Sequence, residues 1–161
     1  MAKQSDQLTV VEFGPRRGIG LGMRVEGDQP DFAGLWQKQV FPRAAEIVRP
    51  PQAAALGVCR CVPGAFEYVA ALEATADAPV PAGMISVQLP RAHYAIFEVK
   101  GLAALAAAWR QVPEAVAAQT AWQPYCGPQG CECATHPSFE YHAWNSDRTG
   151  SILIYVPVRR P

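Results

Sequence analysis

The chain has 161 residues, half of them apolar and only 17% charged, a composition that can bury a core and excludes intrinsic disorder. Lys plus Arg and Asp plus Glu each total 14, so no basic excess offers a phosphate-neutralising surface, and direct nucleic-acid binding is not expected. The polar start MAKQSDQ lacks the apolar stretch of a signal peptide and no later run reaches membrane-spanning length. The expectation is therefore a cytoplasmic protein with no membrane partner, a flexible tail at residues 1–7 and one domain over 8–161.

After the tail, LTVVEF leads to an FGPRRG turn, and Ile19, Leu21, Met23 and Val25 then alternate with Gly20, Gly22, Arg24 and Glu26, the period of a strand. Asp31 is placed to cap a first helix near 31–48, whose Phe32, Leu35, Trp36, Gln39 and Val40 recur at helical spacing, with Pro42 threatening a kink. LGVCRCV and FEYVAALEA flank a tight Pro63-Gly64 turn and predict a hairpin. GMISVQLP and HYAIFEVK, rich in β-branched and aromatic residues, predict another. Residues 101–119 carry Leu102, Leu105, Trp109, Val112 and Val116 on one helical face, interrupted by Pro113. Residues 122–137 read as a long loop, and SFEYHAW and SILIYVPV close the chain as strands. The order predicts an α+β fold of two pseudo-symmetric strand-helix-strand-strand modules. The tripeptides Phe66-Glu67-Tyr68 and Phe139-Glu140-Tyr141 fall on different strands of their modules, so their echo is not evidence for the repeat.

The closing motifs HPSFEY and ILIYVPV, together with Gly34-Leu35-Trp36, FEYVAALE and PAGMISVQLPRAHYAIFEVKG in order, resemble the GyrI-like (gyrase-inhibitor-like) family over residues 8–158. That family includes the effector-binding domains of AraC-type and MerR-type multidrug regulators and has fold kinship with the SOUL proteins. The resemblance implies one curved antiparallel sheet with two main helices and a central ligand cleft. It also implies a carboxylate anchor, carried onto Glu140, with Tyr155, Trp36, Tyr68 and Trp109 as aromatic walls. Strand alternation adds His142 and Trp144 to the face of Glu140 and assigns Phe139 and Tyr141 to the other. The CGPQGCEC loop departs from the family pattern.

A carboxylate in an apolar pocket must be paired or protonated, and aromatic walls attract delocalised cations. The implied ligands are lipophilic cationic aromatic compounds of drug or dye type, bound for sequestration or sensing by a stand-alone domain. Strand chemistry alone leaves open that Glu140 is an edge-strand carboxylate in water and that the aromatic residues are packing. Other readings from the resemblance are a hydrolase opening strained rings with Glu140 as base, and an inhibitory protein with gyrase or a separate regulator as partner. No cofactor is expected, haem through His93 being the weakest option, and His93, His136 and His142 read as ordinary surface or hydrogen-bonded residues. Cys59, Cys61, Cys126, Cys131 and Cys133 lack paired C-x2-C hooks, so no metal site is assigned, and reduced thiols are expected over a disulfide framework.

Overall fold

The computed structural model describes residues 8–26, 30–62, 65–127, 130–145 and 149–161. Its described strands form a nine-stranded antiparallel sheet, curled into a half-barrel, and a separate two-stranded ribbon. The sheet comprises β1 (Thr9–Phe13), β2 (Arg16–Val25), β3 (Ala55–Val62), β4 (Ala65–Glu73), β5 (Ile85–Leu89), β6 (Ala92–Lys100), β7 (Gln123–Pro124), β10 (Ser138–His142) and β11 (Ser151–Arg159). The ribbon pairs β8 (Cys126–Gly127) with β9 (Gly130–Cys131).

The strand order is β1-β6-β11-β10-β3-β4-β2-β5, with β7 beside β11. The predicted modules are visible in it: β2, β3 and β4 with the first helix, and β6, β10 and β11 with the second, laid out as mirror-ordered halves that meet where β10 pairs with β3. The β3–β4 hairpin forms as expected, with Val62 opposite Ala65; its Pro63-Gly64 turn, like the tail at 1–7, lies outside the described residues.

The second predicted hairpin does not form. β5 pairs with β2, and β6 pairs with β1 and β11. Phe13 faces Ala92 and Arg16 faces Leu89, so one register runs unbroken from β1–β6 into β2–β5. Segments 9–20 and 85–96 are therefore paired with each other across the bend. The physical reason is local: Pro90-Arg91 contains neither the Gly nor the Asn that a two-residue reversal needs for positive φ. The chain bends there instead, with the Tyr94 hydroxyl donating to the Pro90 carbonyl at 2.7 Å.

The first helix runs from Phe32 to Glu46 in three geometries: an α turn at Phe32–Gly34, a π-helical segment at Leu35–Val40 and a 3-10 segment at Phe41–Glu46. Asp31 caps it as predicted, its side chain accepting from the Gly34 N–H at 2.9 Å. The change of geometry falls next to Pro42, whose missing N–H cannot continue the π ladder. The second helix, α2 (Leu105–Ala117), follows a 3-10 turn at Leu102–Ala104, and it buries Val112 and Val116 on the predicted face.

The helices cover one face of the sheet. Leu35, Val40 and Ile47 pack on Ile19, Tyr68, Ala70 and Leu72, and Val112 and Val116 pack on Ala95, Val99, Ile152 and Ile154. The other face holds a core without helix residues, built from Leu56, Val58, Val69, Leu89, Tyr94, Phe139 and Tyr155 with Phe13 against them. Within the long loop, Cys126 is disulfide-bonded, which corrects the expectation of reduced thiols there. The ribbon pairs Cys126 with Cys131 in antiparallel register. Cys59 and Cys133 are thiols.

Candidate functional site: a carboxylate at the centre of the helix-covered face

Glu140 sits on β10 between β3 and β11, in the interior of the sheet, so it is not an edge-strand carboxylate. It is 5% exposed. Burying an ionised carboxylate costs several kcal/mol unless its oxygens are satisfied, and here both are. The Trp109 indole N–H donates to Oε2 at 2.8 Å, and the Tyr68 hydroxyl donates to Oε1 at 2.9 Å. The direction of the second bond is fixed by the next: Trp36 Nε1–H, a donor only, gives to the Tyr68 oxygen at 3.0 Å. The phenol proton is thereby left for Glu140. His142 Nε2 lies 3.5 Å from Oε1.

Each member comes from a different element. Trp36 is in the π-helical segment, whose widened turn is frequent at functional positions. Tyr68 is on β4, Trp109 on α2, and Glu140 and His142 are two apart on β10. The first and second halves of the chain thus each supply an indole to one relay. Burial, and then the charge of Glu140, push the Tyr68 phenol well above its ordinary range, more than the Trp36 bond lowers it. The phenol therefore stays protonated and remains a donor throughout the neutral range.

Gly57 on β3 makes this geometry possible. It is the cross-strand partner of Glu140, and a Cβ there would strike both the carboxylate Oε1 and the Tyr68 hydroxyl. The Tyr68–Glu140 bond passes over the bare backbone of Gly57. The signal in the sequence is the glycine itself, since a glycine in the middle of a strand marks close approach of another group, although which group approaches is set only by the β3–β10 pairing.

A cavity of about 760 Å³ opens over this centre. Phe32, Trp36, Phe41, Tyr68 and Trp144 supply aromatic surface, and Glu140 and His142 supply polar groups. Phe41, Leu102 and Trp144 line the cavity although they are 50%, 72% and 56% exposed, so its mouth is apolar as well. Of the residues expected from the sequence, Glu140, Trp36, Tyr68 and Trp109 are brought together and Trp144 stands on the wall. Tyr155 is not brought there. It is the cross-strand partner of Phe139, and paired residues share a face, so its ring stacks on Phe139 at 4.8 Å in the opposite core. His142 lines the cavity as strand alternation expects, and Phe32, Phe41 and Arg49 are among the lining residues beyond the sequence-derived set.

The remaining histidines lie elsewhere: His93 meets Trp122 at 5.1 Å with the rings tilted, and His136 stacks on Tyr125 at 4.0 Å. Among the described residues, no group of three or more His, Cys, Asp or Glu is placed to hold a metal ion. No described helix is long and apolar enough to cross a membrane.

Two strand-helix-strand-strand halves meeting over an aromatic cleft define an effector-binding type of domain. The chain belongs to the integron-associated effector binding protein family, Cass2, which it matches over residues 9–158. It is 30% identical over 145 residues to the transcriptional regulator BrlR of Pseudomonas aeruginosa PAO1, an alignment covering 86% of this chain. The chain spans about half, 51%, of that regulator's length. In fold it is similar to SAV2435 bound to tetraphenylphosphonium, with a TM-score of 0.65 and 17% identity over 95% of this chain and 94% of that one. It is also similar to the integron cassette protein VCH_CASS2 of Vibrio cholerae, with a TM-score of 0.64 and 15% identity over 96% and 97% of the two chains.

Proposed function

We propose that the cleft binds lipophilic, cationic aromatic compounds, with Glu140 as counter-charge and Trp36, Tyr68 and Trp109 as the groups that hold the carboxylate ready. The observation that carries this reading is Glu140 itself. It is nearly fully buried, it is hydrogen-bonded by neutral donors, and among the described residues it has no Lys or Arg ion pair. Hydrogen bonds soften the cost of burial, but a cation in the cavity adds the missing Coulomb partner. The aromatic walls add stacking and cation–π attraction of about 0.5–2 kcal/mol each. The cavity is of the size that encloses drug-like molecules.

The tetraphenylphosphonium in a protein of the same fold supports the ligand class, and the ordered motifs support a finer kinship with GyrI-like proteins. Because the chain aligns with about half of a transcriptional regulator, we infer that occupancy of the cleft is read by a gene-regulatory partner, in the same polypeptide or another, or serves sequestration. No feature of the site favours the ring-opening hydrolase or the gyrase-partner reading over this one. The test is titration with rhodamine 6G, followed by fluorescence anisotropy, on the wild type and Glu140→Gln. Binding weakened by about tenfold or more in the variant is expected; equal affinity for the two proteins would sink the reading.

A further inference from the structure

The cavity carries charge of both signs. Glu140 contributes one negative charge to the lining, but Arg49 contributes one positive charge, so the two cancel. A guanidinium stays ionised at every physiological pH and offers five N–H donors. Arg49 is exposed, and among the described residues it has neither an ion pair nor a hydrogen bond. Toward a simple cation it is repulsive, a poor choice for a wall whose other charged end attracts one.

Beyond Arg49 lies a second cavity of about 430 Å³, lined by Ile47, Arg49, Pro50, Gln52, Ala53 and Trp144. Arg49, Ala53 and Trp144 are walls of both cavities, so the two adjoin. Its lining is more polar than that of the first, and Arg49 and Gln52 are lining residues whose side chains carry N–H donors. Gln52 also has a backbone φ of 56°, the one left-handed φ among the described non-glycine residues. Such a conformation is unfavourable for a residue with a Cβ and persists only where the surroundings enforce it. Gln52 thus holds an uncommon turn conformation at the edge of this smaller, more open pocket.

We propose that the site selects dipolar ligands: a cationic aromatic group against Glu140 and, on the same molecule, a carboxylate or similar anionic acceptor at Arg49 and Gln52. This rests on the reading of Glu140 as a cation anchor and adds a second recognition point with the opposite sign. A zwitterion neutralises both ends of the cavity, whereas a simple cation leaves Arg49 unanswered. Arg49 is exposed and solvent screens it, so the preference it confers is modest, about fivefold.

The experiment uses two dyes that differ only at this point: rhodamine B, a cationic xanthene with a free carboxylate, and its ethyl ester, a plain cation. Dissociation constants are measured by anisotropy at neutral pH for the wild type, Arg49→Gln and Glu140→Gln. The wild type is expected to bind rhodamine B about fivefold more tightly than the ester. Arg49→Gln is expected to erase that ratio, by weakening the zwitterion and tightening the ester. Glu140→Gln is expected to weaken both dyes. If the wild type binds both dyes equally, or if its preference survives Arg49→Gln, the dipolar assignment is overturned while the cation anchor stands, provided Glu140→Gln weakens both. If Glu140→Gln weakens neither dye, or neither dye binds the wild type, the anchor and the dipolar assignment fall together.

Discussion

The two faces of the curled sheet are both rich in aromatic side chains, and they use them in opposite ways. On the face away from the helices, Phe13, Tyr94, Phe139 and Tyr155 pack ring against ring, with centroids 4.8–6.1 Å apart. On the helix-covered face, Tyr68 and Trp109 aim their polar tips at one carboxylate, Trp36 donates to the Tyr68 oxygen behind it, and a cavity is left beside them. Aromatic content therefore does not distinguish core from site. The convergence of N–H and O–H groups on a shared acceptor does.

The contrast can be broken most forcefully from the packed face. Phe139→Ala removes a ring with no solvent exposure and is expected to cost about 3–5 kcal/mol in urea denaturation, as filled aromatic sites do when emptied. On the site face, Gly57→Ala forces a methyl between Glu140 and Tyr68. It is expected to cost about 1–3 kcal/mol of stability through overpacking and to lower rhodamine 6G affinity by roughly tenfold as the Tyr68 bond is lost. An unchanged affinity would show that this bond does not prepare the carboxylate.

Trp109→Phe keeps an aromatic ring but removes the pyrrole half of the indole together with its N–H to Oε2, with an expected loss of at least about 1.5–3 kcal/mol in stability, the worth of a bond to a buried charged group. The alkaline limb of the stability profile sharpens the comparison further, because burial raises the phenols of Tyr68 and Tyr94 strongly, and also those of Tyr141 and Tyr155. A raised phenol in the native state means that the unfolded chain releases its proton first. The stabilisation is therefore complete below pH 10, the ordinary phenol value, and is lost progressively above it. Denaturant midpoints measured from pH 8 to 11 should be flat and then fall, less steeply for Tyr68→Phe. The smallest effect is expected for Tyr155→Phe, which should leave cation affinity unchanged within about twofold; a larger loss would place Tyr155 in the site after all.

Much of this was legible in the residues. The Asp31 cap, the apolar stripe of the second helix and the period-2 strands are local patterns, and they were readable because capping and burial act over a few residues. The order of the elements gave the modules. The resemblance of the closing motifs pointed to Glu140, Trp36, Tyr68 and Trp109, and β-strand alternation put Glu140, His142 and Trp144 on one face. The failures share a different character. The expected β5–β6 hairpin followed from adjacency in sequence, yet β5 found β2, and the Cys126 disulfide depends on a ribbon inside what read as loop.

The amino-acid sequence determined by itself that β10 would point Glu140 one way and Phe139 the other, because the pleat alternates whatever the strand is paired with. It could not decide which face Tyr155 would join, since that depends on the register between β10 and β11, and a shift of one residue exchanges the faces. Nor could it show that Gly57 would lie opposite Glu140, 83 residues away along the chain. Only the closing of the two halves against each other, at the β10–β3 seam, set a bare backbone beneath the carboxylate and brought an indole from each half into its hydrogen-bond relay.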